Sequence, residues 1–451
     1  MQSSSAICSL LLCCCVAFAP HAVADDFRIS PLPLAQNAKP KPDEQPEQAN
    51  ARQLREANAQ MNVLIGSRDY DSIEKIAQGW QAQYKAKTLS ANDYFNALAN
   101  IAPTLGGKGM IGDLVRWTRA RPDSYFAWYA LGTQYLSLAK SERGCGCNSG
   151  ATEAQIASSQ NYAGQAHDAF LQSLKLGTDP SPSYSQMIIV AALVRRPYHR
   201  GDENRPLRSP QQPFCPAKGP SAGAFADGFE EGLYYLCLSL KRDPEATQPF
   251  ENFVTYNSPG WYGNYNTLTR LLAEIERTQH LSPKAAGLMH AALLERQGAD
   301  AVDLFHQPAL SAKLYVQAFE AWPTPEHLEW MYQAANTENL TVKNKEYTRV
   351  IFNKIIAYRP GEARAIAGIG WLDEDRGDFK GYMNGMIAAG YLGMFEAQNN
   401  IGYYYMVGQR GLPRDLKQAK AWITLAANQG FAHAREKLAV VDAMIAQEAK
   451  K

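Results

Sequence analysis

The sequence predicts an all-α protein, a helical-repeat solenoid preceded by an N-terminal helical domain. Three observations support this prediction. From Ala51 onward, apolar residues recur three and four positions apart between recognisable helix caps. The alternation of apolar and polar residues that is typical of strands is almost absent. The C-terminal part repeats its own sequence at spacings of 32 and 37 residues, which are typical of stacked helix pairs.

The composition is that of an ordinary globular protein. With 451 residues, the chain is long enough for about three domains. Its 45 Lys and Arg residues balance 44 Asp and Glu residues, so the chain carries no net field that would attract nucleic acid or an anionic membrane. We therefore expect no nucleic-acid partner.

The first 24 residues predict a cleaved signal peptide. They contain no Asp, Glu, Lys or Arg, are nearly all apolar from Ile7 to Phe18, and end in Ala22-Val23-Ala24. No later stretch is apolar for the roughly 20 residues that a membrane span needs, so we expect no transmembrane segment. We expect a periplasmic or secreted protein. Lipid attachment at Cys13 is the alternative, although Leu12 is larger than the residue usual before a lipidated cysteine.

The domain layout follows from changes in composition. Residues 25–55 carry five prolines among polar residues and predict an extended tether. We expect an N-terminal helical domain over 56–276, helix pairs over 277–360 and regular repeats over 361–446. The clearest single helix runs from Tyr125, after the capping residue Ser124, to Gly144, a glycine suited to a left-handed C-terminal cap.

The repeats have a recognisable motif. Ala365-x-x-x-Ile369-Gly370 recurs as Ala397-x-x-x-Ile401-Gly402 and, shortened, as Ala434-x-x-x-Leu438. Between the second and third copies stand Gly408, Gly411, Asp415, Ala419, Trp422, Ala426, Ala427 and Gly430. This pattern resembles Sel1-like repeats, which are related to tetratricopeptide (TPR) repeats, with one extra residue between Gly408 and Gly411. The residue types predict that Asp415 caps the second helix and that Trp422 fills the space between paired helices.

A second resemblance covers the N-terminal part. Asp69-Tyr70-Asp71, Leu114-x-x-Trp117, Pro122-x-Ser124 and Pro259-x-Trp261-x-Gly263 are similar to the uncharacterised bacterial family DUF4034. The resemblance spans residues 61–276. It implies a helical domain and no known activity.

Four cysteines remain after the predicted signal peptide: Cys145, Cys147, Cys215 and Cys237. An even number in an exported chain predicts disulfides. A bridge within Cys145-Gly146-Cys147 would be strained, so we expect each of these two residues to bond to Cys215 or Cys237. A metal site, or a buried free thiol at Cys237, is the alternative.

Two motifs match catalytic patterns in the wrong context. Gly107-Lys108-Gly109-Met110-Ile111-Gly112 matches G-x-G-x-x-G, but the preceding residues 92–101 predict a helix and not the strand of a dinucleotide site. Ser221 stands in Gly219-Pro220-Ser221-Ala222-Gly223, the nucleophile-elbow pattern of serine hydrolases, but follows a proline-rich loop. We expect turns at both places, with hydrolysis at Ser221 as an alternative function.

No set of residues predicts a metal or cofactor. The seven histidines of the mature chain are scattered, and His290 and His306 are expected to be ordinary polar or core residues. Asp373-Glu374-Asp375 could bind a cation, but three consecutive acids more often form a solvated face. We predict no enzyme activity, no cofactor and no metal.

Three segments carry residue types common in protein interfaces. A loop with Arg195, Arg196 and Arg200 could bind carboxylates or phosphates, or be solvated. The loop with Trp261, Tyr262 and Tyr265 could bind a protein, or pack inside the domain. Tyr403, Tyr404 and Tyr405 cannot all face the core, so we expect one or two at the surface, with Tyr403 and Tyr404 as candidates.

The predicted function is non-enzymatic protein binding, because solenoids present long surfaces that hold other proteins. The resemblance to Sel1-like proteins implies a more specific role. Exported members include immunity proteins that neutralise secreted toxins, among them phospholipase effectors, and scaffolds of envelope assembly or signalling. We take the immunity role as the leading hypothesis and the envelope scaffold as the alternative.

Overall fold

The computed structural model describes residues 60–61, 63–99, 101, 109–144, 151–177, 180–194, 215–216, 225, 227–261 and 263–449. Over these residues the chain is built of helices joined by turns, and no strand occurs. The predicted all-α class is therefore confirmed. None of the described helices combines the length and the apolar character that crossing a membrane requires.

The described residues form two compact units, with unit 1 ending at Thr324 and unit 2 beginning at Pro325. The helices of unit 1 are α1 (Tyr70–Lys85), α2 (Ala91–Ala99), α3 (Gly109–Ala120), α4 (Tyr125–Arg143), α5 (Glu153–Leu176), α6 (Ser181–Val194), α7 (Gly228–Arg242), α8 (Gln248–Tyr256), a 3₁₀ turn (Pro259–Trp261), α9 (Tyr265–Thr278), α10 (Pro283–Asp303) and α11 (Pro308–Ala321).

Unit 1 is organised by pairs of successive helices. The closest pairs are α4 with α5, α6 with α7, and α10 with α11. Helix α4 begins and ends as its sequence predicts, since the Ser124 hydroxyl accepts a hydrogen bond from the Ala127 amide and Gly144 has a φ of 82°. Residues on nearly every side of α4 are buried, among them Tyr129 and Leu136, so this helix lies in the centre of the core.

The disulfide pairing differs from the sequence prediction. Cys215 is bonded to Cys237 of α7, with 5.8 Å between their Cα atoms. Cys237 is thus neither a free thiol nor the partner of Cys145 or Cys147, and the expectation that those two residues bond to Cys215 and Cys237 is wrong for this structure. Burial explains the pairing, since both bonded cysteines pack against the main core of unit 1. Cys145 and Cys147 themselves lie outside the described residues.

The helices of unit 2 are α12 (Pro325–Asn336), a π-helical turn (Thr337–Val342), α13 (Lys345–Tyr358), α14 (Ala363–Asp375), α15 (Phe379–Tyr391), α16 (Phe395–Val407), α17 (Leu416–Asn428) and α18 (Ala432–Glu448). They pair as α12 with α13, α14 with α15, and α16 with α17, and α18 packs on α17. The division between units therefore falls inside the predicted segment 277–360, between its two helix pairs.

The repeat in the sequence is a repeat in the structure. Helices α14, α16 and α18 begin after Glu362, Met394 and Phe431, which are 32 and 37 residues apart. The second helices α15 and α17 are capped by the side chains of Asp378 and Asp415, as predicted for Asp415. Unit 2 is thus a stack of equivalent helix pairs.

Small residues bring the two helices of a pair together. A Cβ on Gly402 of α16 would lie 2.5 Å from Cγ1 of Ile423 and 3.0 Å from the Ala419 carbonyl oxygen on α17. Gly370 of α14 packs against α15 in the same way, since a Cβ added to it would lie 3.1 Å from the Tyr382 carbonyl oxygen. Trp422 is completely buried, and its ring meets edge-on that of Tyr391 in α15, a helix of the preceding pair. The predicted position between its own paired helices stays a prediction.

Candidate protein-binding surface

The repeat places one large apolar side chain at the same exposed position of three successive helices. The ninth residue after the N-cap is Trp371 in α14, Tyr403 in α16 and Val440 in α18. These side chains are 40%, 36% and 51% exposed, whereas large apolar residues at neighbouring positions are mostly buried. We name Trp371, Tyr403 and Val440 the apolar row.

The exposure of the row follows from the packing of the same helices. In two of the three copies the residue just before the row position faces the paired helix: it is Gly370 in α14 and Gly402 in α16. The residue just after the row position turns inward, as Leu372 (2% exposed) and Val441 (fully buried) show. A row position between these two faces points to solvent in every copy of the repeat. Large apolar side chains are normally buried, so three of them at the same exposed position are unusual.

Contacts with a neighbouring helix hold the Tyr403 side chain, the middle residue of the row, in place. The Lys437 ammonium of α18 lies 5.3 Å from the centre of the Tyr403 ring and donates a hydrogen bond of 3.2 Å to the Asn399 side-chain oxygen. Asn399 is almost fully buried, and its amide donates in turn to the side-chain oxygen of Asn400. The Tyr403 ring is therefore held by a cation and by its neighbour Tyr404, whose ring meets it edge-on.

The acidic run Asp373-Glu374-Asp375 is neither a cation site nor a purely solvated face. Each carboxylate is paired with a basic residue from a different place in unit 2: Asp373 with Arg349, Glu374 with Arg410, and Asp375 with Lys345 at 2.8 Å. These pairs connect α14 to α13 and to the turn before α17. Their charges are matched inside unit 2.

The three consecutive tyrosines separate as predicted, with one at the surface. Tyr403 is exposed in the apolar row, and Tyr405 is buried. Tyr404 is half-buried, and its hydroxyl lies 3.0 Å from that of Tyr382 in α15. Tyr404 is thus a structural neighbour of the row, and its candidacy as a partner-binding residue is weaker than that of Tyr403.

The aromatic loop of unit 1 packs inside the domain. Trp261 is only 6% exposed, and its ring lies between Tyr256 and the Arg143 guanidinium, which is 4.7 Å from the ring centre. The hydroxyl of Tyr265 donates to the buried Asp300 carboxylate at 2.5 Å, and burial together with this contact raises the pKa of Tyr265. Both side chains therefore have contacts within unit 1, as expected from the packing alternative for this loop.

Several predicted residues cannot be placed, since Tyr262, Arg195, Arg196, Arg200 and Ser221 lie outside the described residues. The glycine motif is placed in part. The element before the motif is α2, so the predicted helix in place of a strand is confirmed. Gly109 to Gly112 form the first turn of α3, so the expected turn is wrong for this half of the motif.

The titratable groups do not assemble into a metal cluster. Within the described ranges, no group of three or more His, Cys, Asp and Glu residues has the geometry to hold a metal ion. The most buried acid with a histidine neighbour is Glu231, which lies 3.4 Å from Nε2 of His167. This contact raises the pKa of His167. His290 is exposed and bonds to Glu276, and His306 lies exposed in the turn before α11, as expected of ordinary polar residues.

Trp371 and Val440 were not among the residues predicted from the sequence. The signal was present, since adding the repeat spacings of 32 and 37 residues to Trp371 gives Tyr403 and then Val440. The glycines of the motif form the helix contacts, whereas the large residues at this position lie at the surface.

Comparison with known proteins leaves the family open. No family model matches the sequence, and no curated protein is significantly similar to it. Among solved structures, the chain is similar to c5321, a protective antigen present in uropathogenic Escherichia coli strains and displaying an SLR fold. The two sequences are 14% identical, the match covers 84% of this chain and 81% of that chain, and the TM-score is 0.27. The chain is also similar to yeast Tom70, with 10% identity, 88% and 89% covered, and a TM-score of 0.27.

Both TM-scores are low, so the helical-repeat assignment rests on the helix pairs described above. The resemblances to Sel1-like repeats and to DUF4034 stay predictions from the sequence.

Proposed function

We propose that this chain is a non-catalytic binding protein that holds another protein against the apolar row. The observation that carries the proposal is the repetition itself: Trp371, Tyr403 and Val440 occupy one exposed position in three equivalent helices. Keeping such side chains in water is unfavourable, and covering them with a partner removes that cost.

The chemistry of the row favours a protein partner. Trp and Tyr are the residue types that most often dominate binding energy at protein interfaces, since they bury large areas and lose little conformational freedom. The acids that follow Trp371 in α14 are matched by ion pairs, such as Glu374 with Arg410.

The location and the biological role are proposals that rest on sequence. The apolar, uncharged residues 1–24 support export, and the Cys215–Cys237 bond is of the kind that persists in an oxidising compartment. The resemblance of residues 361–446 to Sel1-like repeats supports a stoichiometric inhibitor that neutralises a secreted toxin. In this role the apolar row would contact the toxin directly.

Affinity capture tests the binding surface. The mature chain, a Trp371→Ala/Tyr403→Ala variant and a Leu340→Ala control are used as bait in an envelope extract, and bound proteins are identified by mass spectrometry. Leu340 is 71% exposed but lies outside the row, so it is a matched apolar control. We expect a partner that wild type and the control retain, and that the row variant binds at least about 30-fold more weakly, as loss of an interface hot spot of about 2 kcal/mol or more implies.

The inhibitor role has its own test. Cells lacking the protein are exposed to the captured partner, or to a phospholipase toxin encoded beside it, in the periplasm. The proposal predicts that these cells die, and that wild type restores growth while the row variant does not. Survival of the deletion strain would refute the inhibitor role and leave the binding surface in place.

A further inference from the structure

The hydrogen bonds beside Tyr403 run in one direction. The Lys437 ammonium carries only donors, so the Asn399 atom that it contacts at 3.2 Å must be the side-chain oxygen. The Asn399 nitrogen therefore faces Asn400, and it donates a hydrogen bond of 3.3 Å to the Asn400 side-chain oxygen. Because Asn399 is only 4% exposed, this series of two bonds is anchored inside unit 2.

The series ends in a donor next to the apolar row. With its oxygen facing Asn399, the Asn400 side chain directs its N–H₂ group away from that residue, and this group has no acceptor among the residues that the structure describes. Asn400 stands three positions before Tyr403 in α16, and residues three apart on a helix are neighbours on its surface. A donor of fixed orientation thus accompanies the exposed ring in the middle of the row.

A partner that covers the Tyr403 ring also removes water from the Asn400 amide, since the two side chains are neighbours. A donor that loses water and gains no acceptor weakens binding. The amide cannot avoid this loss by turning over, because its nitrogen would then face the Asn399 nitrogen. A partner therefore binds well only if it brings an acceptor to this point.

The surrounding charges favour a neutral acceptor. Glu396 lies one turn before Asn400 on α16, and Glu436 precedes Lys437 on α18. The surroundings of the amide thus include two carboxylates as well as one ammonium, so they do not attract a further carboxylate. A main-chain carbonyl oxygen is neutral and accepts hydrogen bonds.

We propose that Asn400 selects the partner by donating a hydrogen bond to one of its main-chain carbonyl oxygens, beside the apolar side chain that covers Tyr403. The inference rests on the proposed function, because it states the chemistry that a partner brings to the row. It also restricts the shape of the partner. Carbonyls in the interior of a helix are bonded within the helix, so the partner meets Asn400 with a turn, a loop or a helix end.

A small probe tests this site in the full mature chain. N-acetyl-L-leucine methylamide carries an apolar side chain and neutral main-chain carbonyls. The protein is produced with isotope-labelled asparagine, and its side-chain N–H₂ signals are followed by NMR while the probe is added. We expect the Asn400 signal, identified by its absence from Asn400→Asp, to move to higher frequency in wild type and not in Tyr403→Ala. The signal of Asn384, an exposed residue of α15, is the control and should not move.

Two substitutions of Asn400 test the same contact with the protein captured by the bait experiment. Asn400→Ala removes the donor, and we expect about tenfold weaker binding. Asn400→Asp keeps the shape and still accepts the bond from Asn399, but it turns a charged oxygen toward the carbonyl, and we expect about 100-fold weaker binding. Asn384→Asp makes the same change of charge on α15 and should bind like wild type.

The outcomes separate this inference from the proposed function. An Asn400 signal that the probe does not move, or an Asn400→Asp variant that binds as tightly as Asn384→Asp, would overturn the role of Asn400. If Trp371→Ala/Tyr403→Ala still loses the captured protein, the binding surface stands in that case. Failure to capture any protein that depends on the row would refute the proposed function and the inference together.

Discussion

Whether a side chain in this protein is buried or exposed depends on its surroundings more than on its residue type. Trp261 and Trp371 are both aromatic residues close to charged groups, yet the first is enclosed by Tyr256 and Arg143 and the second is exposed. Composition alone left both uses open for Trp261, because a Trp, Tyr and Asn mixture is common to both binding loops and packed corners. The caps at Ser124 and Asp415 were predictable, because capping depends on neighbours within one turn.

Glu295 gives a prediction at the residue scale. Burial and the nearby Glu251 carboxylate raise the pKa of Glu295 to about 7, above its usual value of 4.5. The folded state therefore binds the Glu295 carboxyl proton more tightly than the unfolded state does. The resulting contribution to the free energy of unfolding is fully present below pH 4.5 and is lost as the pH rises through 7. Glu295→Gln, which cannot ionise, should gain about 2–3 kcal/mol of unfolding free energy relative to wild type between pH 5 and pH 8.

Urea denaturation of both proteins at the two pH values measures this difference. Glu153→Gln, at an exposed position of α5, is the control and should keep the wild-type difference between the two pH values, because it retains Glu295. Equal behaviour of Glu295→Gln and wild type at pH 5 and pH 8 would contradict the pKa assignment.

At the scale of the element, the helices and their pairing were predictable, and the contacts between pairs were not. The motif Ala-x-x-x-Ile-Gly marks the repeated helix, and the structure adds that its Gly402 allows α16 to approach α17 closely. The three ion pairs of residues 373–375 were not predictable. Their partners Arg349, Lys345 and Arg410 come from other turns of the stack, and sequence distance does not show which charges meet.

Gly402→Ala tests the helix contact. The added methyl group would lie 2.5 Å from Ile423 and must displace it, so we expect a loss of about 1–3 kcal/mol in unfolding free energy. The matched control is Gly164→Ala in α5, where a Cβ meets no atom within 4 Å. There the higher helix propensity of alanine should stabilise the protein by about 0.5–1 kcal/mol. Chemical denaturation followed by circular dichroism distinguishes the two, and equal effects would contradict the packing described.

On the scale of the whole molecule, the all-α class followed from periodicity, because it depends on hundreds of residues and tolerates local errors. The disulfide partner did not follow, since four cysteines permit three pairings and only the fold brings Cys215 to Cys237. The division at Thr324 falls inside the segment 277–360. The helix pairs on its two sides have the same texture, so composition shows no boundary there.

The disulfide supports a prediction for unit 1. Removing a bond that joins residues 22 positions apart, with Cys215→Ser/Cys237→Ser, should lower the unfolding free energy by about 3 kcal/mol through the larger freedom of the unfolded chain. Reduction of the wild-type protein with dithiothreitol should cause a similar loss. A double variant as stable as the oxidised wild type would show that the bond does not constrain the chain as described.

The central claim is that one exposed position of the repeat forms the binding surface. Hydroxyl-radical footprinting with mass spectrometry, carried out on the mature chain alone and with its captured partner, tests it most directly. The account predicts that the partner protects Trp371, Tyr403 and Val440 from oxidation together, while Leu340 and Phe305, which are exposed outside the row, react equally in both samples. Unchanged oxidation of the row in the complex would contradict the account.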